Sequence, residues 1–334
     1  DITASHAISE YYTGATEPTS PKNGALWWNG TDLHQFINTK FRVLSVTAPP
    51  KWYGDRGLFG GGGISSDGSK SNVIEYITIT STGNGTDFGD LTEARYDTSG
   101  CSNNVRGIFG GGYGTSNSDV IDYVTVASTG NATDFGNLTS GRSMLAACSD
   151  STYGLFAGGP AASNVIDYIT IASAGNATDF GDLAVGRYHL TACANATYGL
   201  FAGGNTGIPS IEYVTVATTG NATSFGDLLF NSIQSAACSS KVYGIFAGGN
   251  NTLNDINYVT INTASNATDF GDLTVGRNRL ASCSNAVRGV FAGGRPSSTP
   301  QNVIDYVTIA TPGNATDFGD LTSTRFALAA CSGD

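Results

Sequence analysis

The chain has 334 residues, of which 13% are charged, and carries a formal net charge of −11 with a pI near 4.5. That balance leaves no basic stripe to neutralise phosphates, so neither nucleic acid nor an anionic membrane is an expected partner. No apolar run approaches the roughly 20 residues of a membrane helix, so no membrane insertion is expected. The abundant Gly (45 residues) suits short strands and tight turns. No secretory signal is visible; the chain begins at Asp1 rather than Met, consistent with removal of an earlier segment.

Residues 1–52 do not repeat and are expected to form an N-terminal segment separate from residues 53–334. Its informative part runs from Pro18 to Phe36, where a Pro-rich turn leads into Gly24-Ala25-Leu26-Trp27-Trp28. An Asn29-Gly30 turn then precedes a second apolar stretch ending at Phe36, the pattern of a small β-hairpin. A lone hairpin is marginal in water. It is therefore expected to pack on the propeller read below or on another chain, with Trp27, Trp28 and Phe36 as the anchor residues. This stretch resembles a short module of tailed-phage virion proteins, and the resemblance implies attachment to other virion proteins.

From residue 56 onward the chain repeats about every 45 residues, the length of one four-stranded propeller blade. One anchor is Phe59, Phe109, Phe156, Phe201, Phe246 and Phe291, each followed by Gly or Ala and then Gly-Gly. A second is Tyr76, Tyr123, Tyr168, Tyr213, Tyr258 and Tyr306. A third is Phe88, Phe135, Phe180, Phe225, Phe270 and Phe318, each before a Gly. In one unit, residues 187–193 read as strand one, 198–204 as strand two, 211–216 as strand three and 221–228 as a turn with strand four. The order is basic residue, Gly-Gly, aromatic, then aromatic with Leu, and it resembles the kelch repeat over residues 56–334. It departs from that pattern in carrying Phe-Gly-Asp-Leu where kelch repeats have Trp.

The first unit begins at strand two, and the chain ends with a strand-one sequence, residues 325–331. The expected fold is therefore all-β: a six-bladed kelch-like β-propeller closed by the C-terminal strand, with a short N-terminal hairpin or extended anchor segment. Closure of this kind removes an exposed sheet edge.

Cys101, Cys148, Cys193, Cys238, Cys283 and Cys331 occupy one position of each repeat, and are read as small buried side chains, not disulfides or metal ligands. Arg95, Arg142, Arg187, Arg277 and Arg325 open strand one, with Ser232 in the fifth blade. They are read as bridges between blades or caps on carbonyls; the alternative is a cationic ring at the channel mouth, able to hold an anion.

Asymmetry carries more functional information. The connections between strands two and three are longest in blades six, one and two, which adjoin in a closed ring. In those blades Arg288, Arg56 and Arg106 precede the Gly of strand two, where blades three to five have Tyr153, Tyr198 and Tyr243. Late duplication of neighbouring repeats accounts for such a split; so does a ligand surface on the long-loop side, since loops on a rigid scaffold carry binding. The second reading makes Arg56, Arg106, Arg288, Asp67, Lys70, Tyr113 and Arg295 binding candidates.

The repeated Asp-Phe-Gly lacks every companion of the kinase motif, and its Asp residues are assigned to turn chemistry rather than Ca²⁺ ligation. The Asn-x-Thr sequons at Asn84, Asn131, Asn176, Asn221, Asn266 and Asn314 are likewise read as turn elements. The three His residues, His6, His34 and His189, form no readable triad. The expectation is a protein without catalytic residues, metal or cofactor. Glycine-rich kelch-like propellers also resemble virion proteins of marine phages. The function implied is a structural virion protein of a tailed phage, part of an oligomeric tail fibre or tail tip, whose propeller binds a host surface glycan or protein. A capsid decoration or neck protein is the nearest alternative. A secreted carbohydrate-binding lectin or carbohydrate-active enzyme is the rival from another class.

Overall fold

The computed structural model describes residues 11–13, 19, 25–28, 33–37, 40–43 and 55–332, except 66, 206–207 and 251–252. The chain divides into two units, Asp1–Trp52 and Tyr53–Asp334. The first contains a four-stranded sheet of β1 (Tyr11–Thr13), β2 (Leu26–Trp28), β3 (Leu33–Ile37) and β4 (Lys40–Val43). The hairpin expected around Asn29-Gly30 is β2–β3, with Trp27 opposite His34 and Trp28 opposite Leu33. It is not alone: β1 pairs parallel to β2, and β4 antiparallel to β3. These pairings supply the extra strands that a two-stranded hairpin lacks. The side chains of Trp27 and Trp28 lie outside the described residues; Phe36 is half-buried.

The second unit is a six-bladed β-propeller of four-stranded antiparallel sheets. Blade one holds β5 (Arg56–Gly60), β6 (Val73–Thr78) and β7 (Thr86–Asp90). Blade two holds β8 (Ser99–Ser102), β9 (Arg106–Gly110), β10 (Val120–Thr125) and β11 (Thr133–Asn137). Blade three is β12 (Ala146–Ser149), β13 (Tyr153–Ala157), β14 (Val165–Thr170) and β15 (Thr178–Asp182). Blade four is β16 (Thr191–Ala194), β17 (Tyr198–Ala202), β18 (Ser210–Thr215) and β19 (Thr223–Asp227). Blade five is β20 (Ala236–Ser239), β21 (Tyr243–Ala247), β22 (Asp255–Thr260) and β23 (Thr268–Asp272). Blade six is β24 (Ala281–Ser284), β25 (Arg288–Ala292), β26 (Gln301–Thr308) and β27 (Thr316–Arg325). The last strand, β28 (Ala329–Ser332), pairs antiparallel with β5 and closes the ring.

Closure is as expected, but the inner strands are shorter than the sequence suggested. Strand one of blade four starts at Thr191, not Arg187, and β28 starts at Ala329, while Arg325 ends β27. The reason is local. Two residues after each opening Arg or Ser the backbone turns left-handed, with φ of 54° at His189 and 53° at Ala327. This interrupts the extended chain before strand one begins.

The core is built between blades. Each of the six apolar clusters takes its side chains from two adjacent sheets, as in the cluster of Leu155, Ile166 and Phe180 with Leu190, Phe201 and Val214. The repeated Phe of strand two is almost fully excluded from solvent. Its ring lies on a neighbouring small residue: a Cβ added at Gly110 would meet Phe156 Cζ at 2.9 Å. The six cysteines are free and buried. Each lies against the strand-two Gly of the next blade; a Cβ on Gly154 would stand 2.6 Å from Cys101 Sγ. The other two aromatic anchors meet each other edge to face, for example Tyr168 and Phe180 at 5.8 Å between centroids.

Asp-Phe-Gly lies in strand four rather than in a turn, which corrects the turn reading of its Asp. In blade one Asp87 pairs with Glu75 beside a β-bulge, and Gly89 takes φ 149° where the next blade's Gly130–Asn131 backbone crosses. The sequon Asn residues reach between blades. Asn131 Oδ1 accepts from Asp90 N–H at 3.1 Å, and Asn176 Oδ1 from Asn137 N–H at 3.0 Å.

Candidate functional site

The Arg residues opening strand one are structural. Arg142 donates to Gly158 O and Val165 O, both at 2.9 Å, and pairs with Asp167 at 2.6 Å. Asp167 also accepts from Thr139 N–H and Oγ1. The same pairing recurs as Arg95–Asp122, Arg187–Glu212, Arg277–Asp305 and Arg325–Glu75, with every member almost wholly buried. These guanidiniums therefore do not form a cationic ring at the mouth. Blade five replaces both charges together: Ser232 stands for Arg and Asn257 for the acid, both buried. A lone buried charge would be far more costly than this neutral pair.

The long-loop candidates fall on opposite sides of the propeller. Arg56, Arg106 and Arg288 lie at the start of strand two, and each staples two blades. Arg56 Nη1 donates to Val126 O, Arg106 Nη1 to Ile171 O and Arg288 Nη1 to Ile79 O, at 2.9 to 3.0 Å. Each guanidinium also lies over the strand-three Tyr of its own blade, at 4.6 to 4.7 Å from the ring centre. In blades three to five the substituting Tyr meets the same ring edge to face, as Tyr198 does Tyr213 at 5.3 Å. The Arg/Tyr split is thus an exchange of one packing solution for another.

Lys70, Tyr113, Asp67 and Arg295 lie at the other end, on the face that carries the strand two–three loops and the blade-to-blade connectors. In blades six, one and two, the long loops pair with the connectors through isolated bridges, Gly63 with Phe326, Tyr113 with Tyr96 and Arg295 with Asn278, and the blade-one loop closes on itself through Gly63 and Lys70. Lys70 Nζ stands 5.9 and 5.8 Å from the Tyr96 and Tyr113 rings, which are themselves 5.5 Å apart. Arg295 Cζ lies over Phe326, 4.4 Å from its ring centre. Asp67 is exposed and turned inward on its own loop. It accepts from Ser65 Oγ and from Ser69 N–H, which draws its carboxyl down to about 2.

At the axis of this face sits a ring not anticipated from the sequence. Asp97, Met144, His189, Gln234, Arg279 and Ala327 occupy the same position of six connectors, all with φ between 52° and 64°. Their backbones form a closed circle. Each N–H donates to the carbonyl of the preceding blade's member, from Met144 to Asp97 O (3.0 Å) round to Asp97 to Ala327 O (2.8 Å). The left-handed turn makes the circle possible, because it points N–H and C=O along the ring instead of into a strand ladder. A cavity of about 70 Å³ lies at this ring, and one of about 110 Å³ lies among the inner strands, whose Ala, Ser, Thr and Gly residues leave the axis open.

The ring side chains are all different, whereas most of the repeat is constant. Asp97 is buried, 3.8 Å from Arg279 Nη1 and 4.0 Å from His189 Nδ1. Burial raises its carboxyl to about 6, against the pull of Arg279 and Arg295. His189 is held down to about 3 by burial and by the same two Arg residues, so its imidazole is neutral. With its amide turned toward Arg279, Gln234 Oε1 accepts from Nε at 3.0 Å and Nη2 at 3.2 Å. The sequence signal was available. Two residues after the opening Arg or Ser, the repeat has six different residues.

No protein-family model and no curated protein matches the chain. Among the described residues no group of three His, Cys, Asp or Glu side chains is placed to hold a metal.

Proposed function

We propose that this protein is a structural component of a tailed-phage particle, in a tail fibre or tail tip, and that its propeller binds the host surface without catalysis. The N-terminal segment, with Trp27, Trp28 and Phe36, joins it to other virion proteins. The observation that carries the binding role is the loss of six-fold symmetry on one face. Rigid, repeated strands there present a mouth of six different side chains, flanked by the long loops of blades six, one and two. Loops held on such a scaffold are where recognition concentrates. The assignment to a particle rests on the resemblance of residues 18–36 to virion modules and of the repeats to kelch-like virion propellers.

The test is immuno-electron microscopy of purified particles with antibody against the propeller, with binding of the labelled full chain to host cells measured in parallel. Label at the tail and saturable cell binding are expected. Absence of the protein from purified particles would sink the assignment.

A further inference from the structure

We propose that the axial mouth is a receptor site for a carboxylate, which Arg279 and Arg295 grip while Tyr96 and Tyr113 flank the sugar ring that carries it. The ligand class is an acidic sugar. The inference rests on the surface-binding reading above and names its ligand.

The argument begins with charge. The chain is strongly acidic overall, yet two guanidiniums converge at this mouth. Arg279 and Arg295 lie 5.8 and 4.4 Å from the Phe326 ring centre, and partial burial together with the nearby Arg279 charge disfavours the charged form of Arg295. The carboxylate that reaches them is Asp97, and its contact with Arg279 is loose, at 3.8 Å. Burial weakens that counter-charge further by favouring the protonated form. His189, beside Asp97, is kept neutral by burial first and by the two cations second. The pair therefore leaves positive charge that the described side chains do not balance.

Hydrogen bonding points the same way. Arg277, Arg142 and the other opening Arg residues are tied to carbonyls and acids. Arg295 has no side-chain hydrogen bond among the described residues; an unpartnered Nε it shares with Arg95, Arg142, Arg277 and Arg325. A planar guanidinium with open donors is suited to a carboxylate held through two parallel hydrogen bonds. The cavity at the ring, about 70 Å³, is lined by Arg279 with Asp97, His189 and Gln234 and has room for a carboxylate group but not a whole sugar; Arg295 stands outside that lining, beside Phe326. A dianionic phosphate fits less well, because it would stand against Asp97. The rest of the ligand must lie outside the ring, on the flank where Tyr96, Tyr113 and Lys70 form a half-exposed aromatic and cationic shelf.

The test uses the full chain with galacturonate and galactose as probes, by isothermal titration and by competition of cell binding. Galacturonate should bind at least about tenfold more tightly than galactose, a difference of about 1.4 kcal/mol. Arg295→Gln and Arg279→Gln should each weaken galacturonate by about tenfold or more. Arg295→Gln should melt within a few degrees of the parent, since among the described residues that side chain makes no hydrogen bond and only its contact with the Phe326 ring is lost; a lost affinity with a nearly unchanged melt separates recognition from misfolding. Equal affinity for the two sugars, no galacturonate binding, or undiminished binding in both variants would overturn the inference. Cell binding that persists in Arg295→Gln and resists galacturonate would overturn it while leaving the surface-binding reading intact. Galacturonate binding without any cell binding would support the site and sink that reading.

Discussion

Blade five supplies a natural control for the buried ion pairs, and this allows a quantitative test in blade three. Asp167→Asn removes the counter-charge of Arg142 but keeps the shape. Arg142→Ser removes the cation and leaves Asp167 with the two donors of Thr139. Each single change strands a buried charge and should cost about 3–5 kcal/mol. In a chain of this size, about 2 °C of melting temperature is lost per kcal/mol, so each single should melt about 6–10 °C lower. The double variant recreates the Ser232 and Asn257 arrangement and strands no charge. It should be no less stable than the weaker single, which implies a coupling of about 3 kcal/mol in a double-mutant cycle. Urea denaturation of all four proteins, backed by calorimetry, measures it. If the two single losses simply add, the pair contributes no mutual stabilisation and the account of blade five is wrong.

Two further outcomes follow from packing and titration. Gly154→Ala should destabilise by about 1–3 kcal/mol, because the new Cβ meets Cys101 Sγ at 2.6 Å; adding Cys101→Ala should recover part of that loss in the same denaturation assay, and no recovery would mean the obstruction lies elsewhere. The folded state holds His189 near 3, below its unfolded value, so it binds fewer protons than the unfolded chain between about pH 3 and 6.5. Its neutral form thus contributes stability that is lost as pH falls through that window. His189→Asn, which tolerates the left-handed φ, should be relatively more stable at pH 5 than at pH 8 when compared with the parent. A stability difference independent of pH would show that His189 titrates normally. Asp97 shifts the other way and lies 4.0 Å from His189 Nδ1, so repeating the comparison in an Asp97→Asn background isolates the histidine.

The number of blades, their four-strand order and the closure by the C-terminal strand were legible in the chain, because each blade repeats the same inward and outward alternation and the same Gly and aromatic landmarks. Burial of the cysteines was legible too: a residue constant at one repeat position generally answers a constant packing need. The sheet of residues 11–43 was legible only as its central hairpin, since a three-residue strand such as β1 has too few positions to show a period. The partners of the opening Arg residues were not readable. Arg142 lies in the connector before β12 and Asp167 in β14, and only the folding of the connector over the blade brings them together. The candidates Arg56 and Lys70 are near each other in sequence, yet a strand runs away from one end toward the other and sets them on opposite faces. At the mouth the variation itself was readable, but the meeting of the varied side chains was not. Asp97, His189 and Arg279 lie about 90 residues apart, and no local pattern joins them. Ring closure gathers them around one axis, and the left-handed turn at each forms the hydrogen-bonded circle. Repetition in the sequence determined the architecture. The tertiary structure alone decided which of the unrepeated side chains meet, because contact across the axis depends on closing the ring.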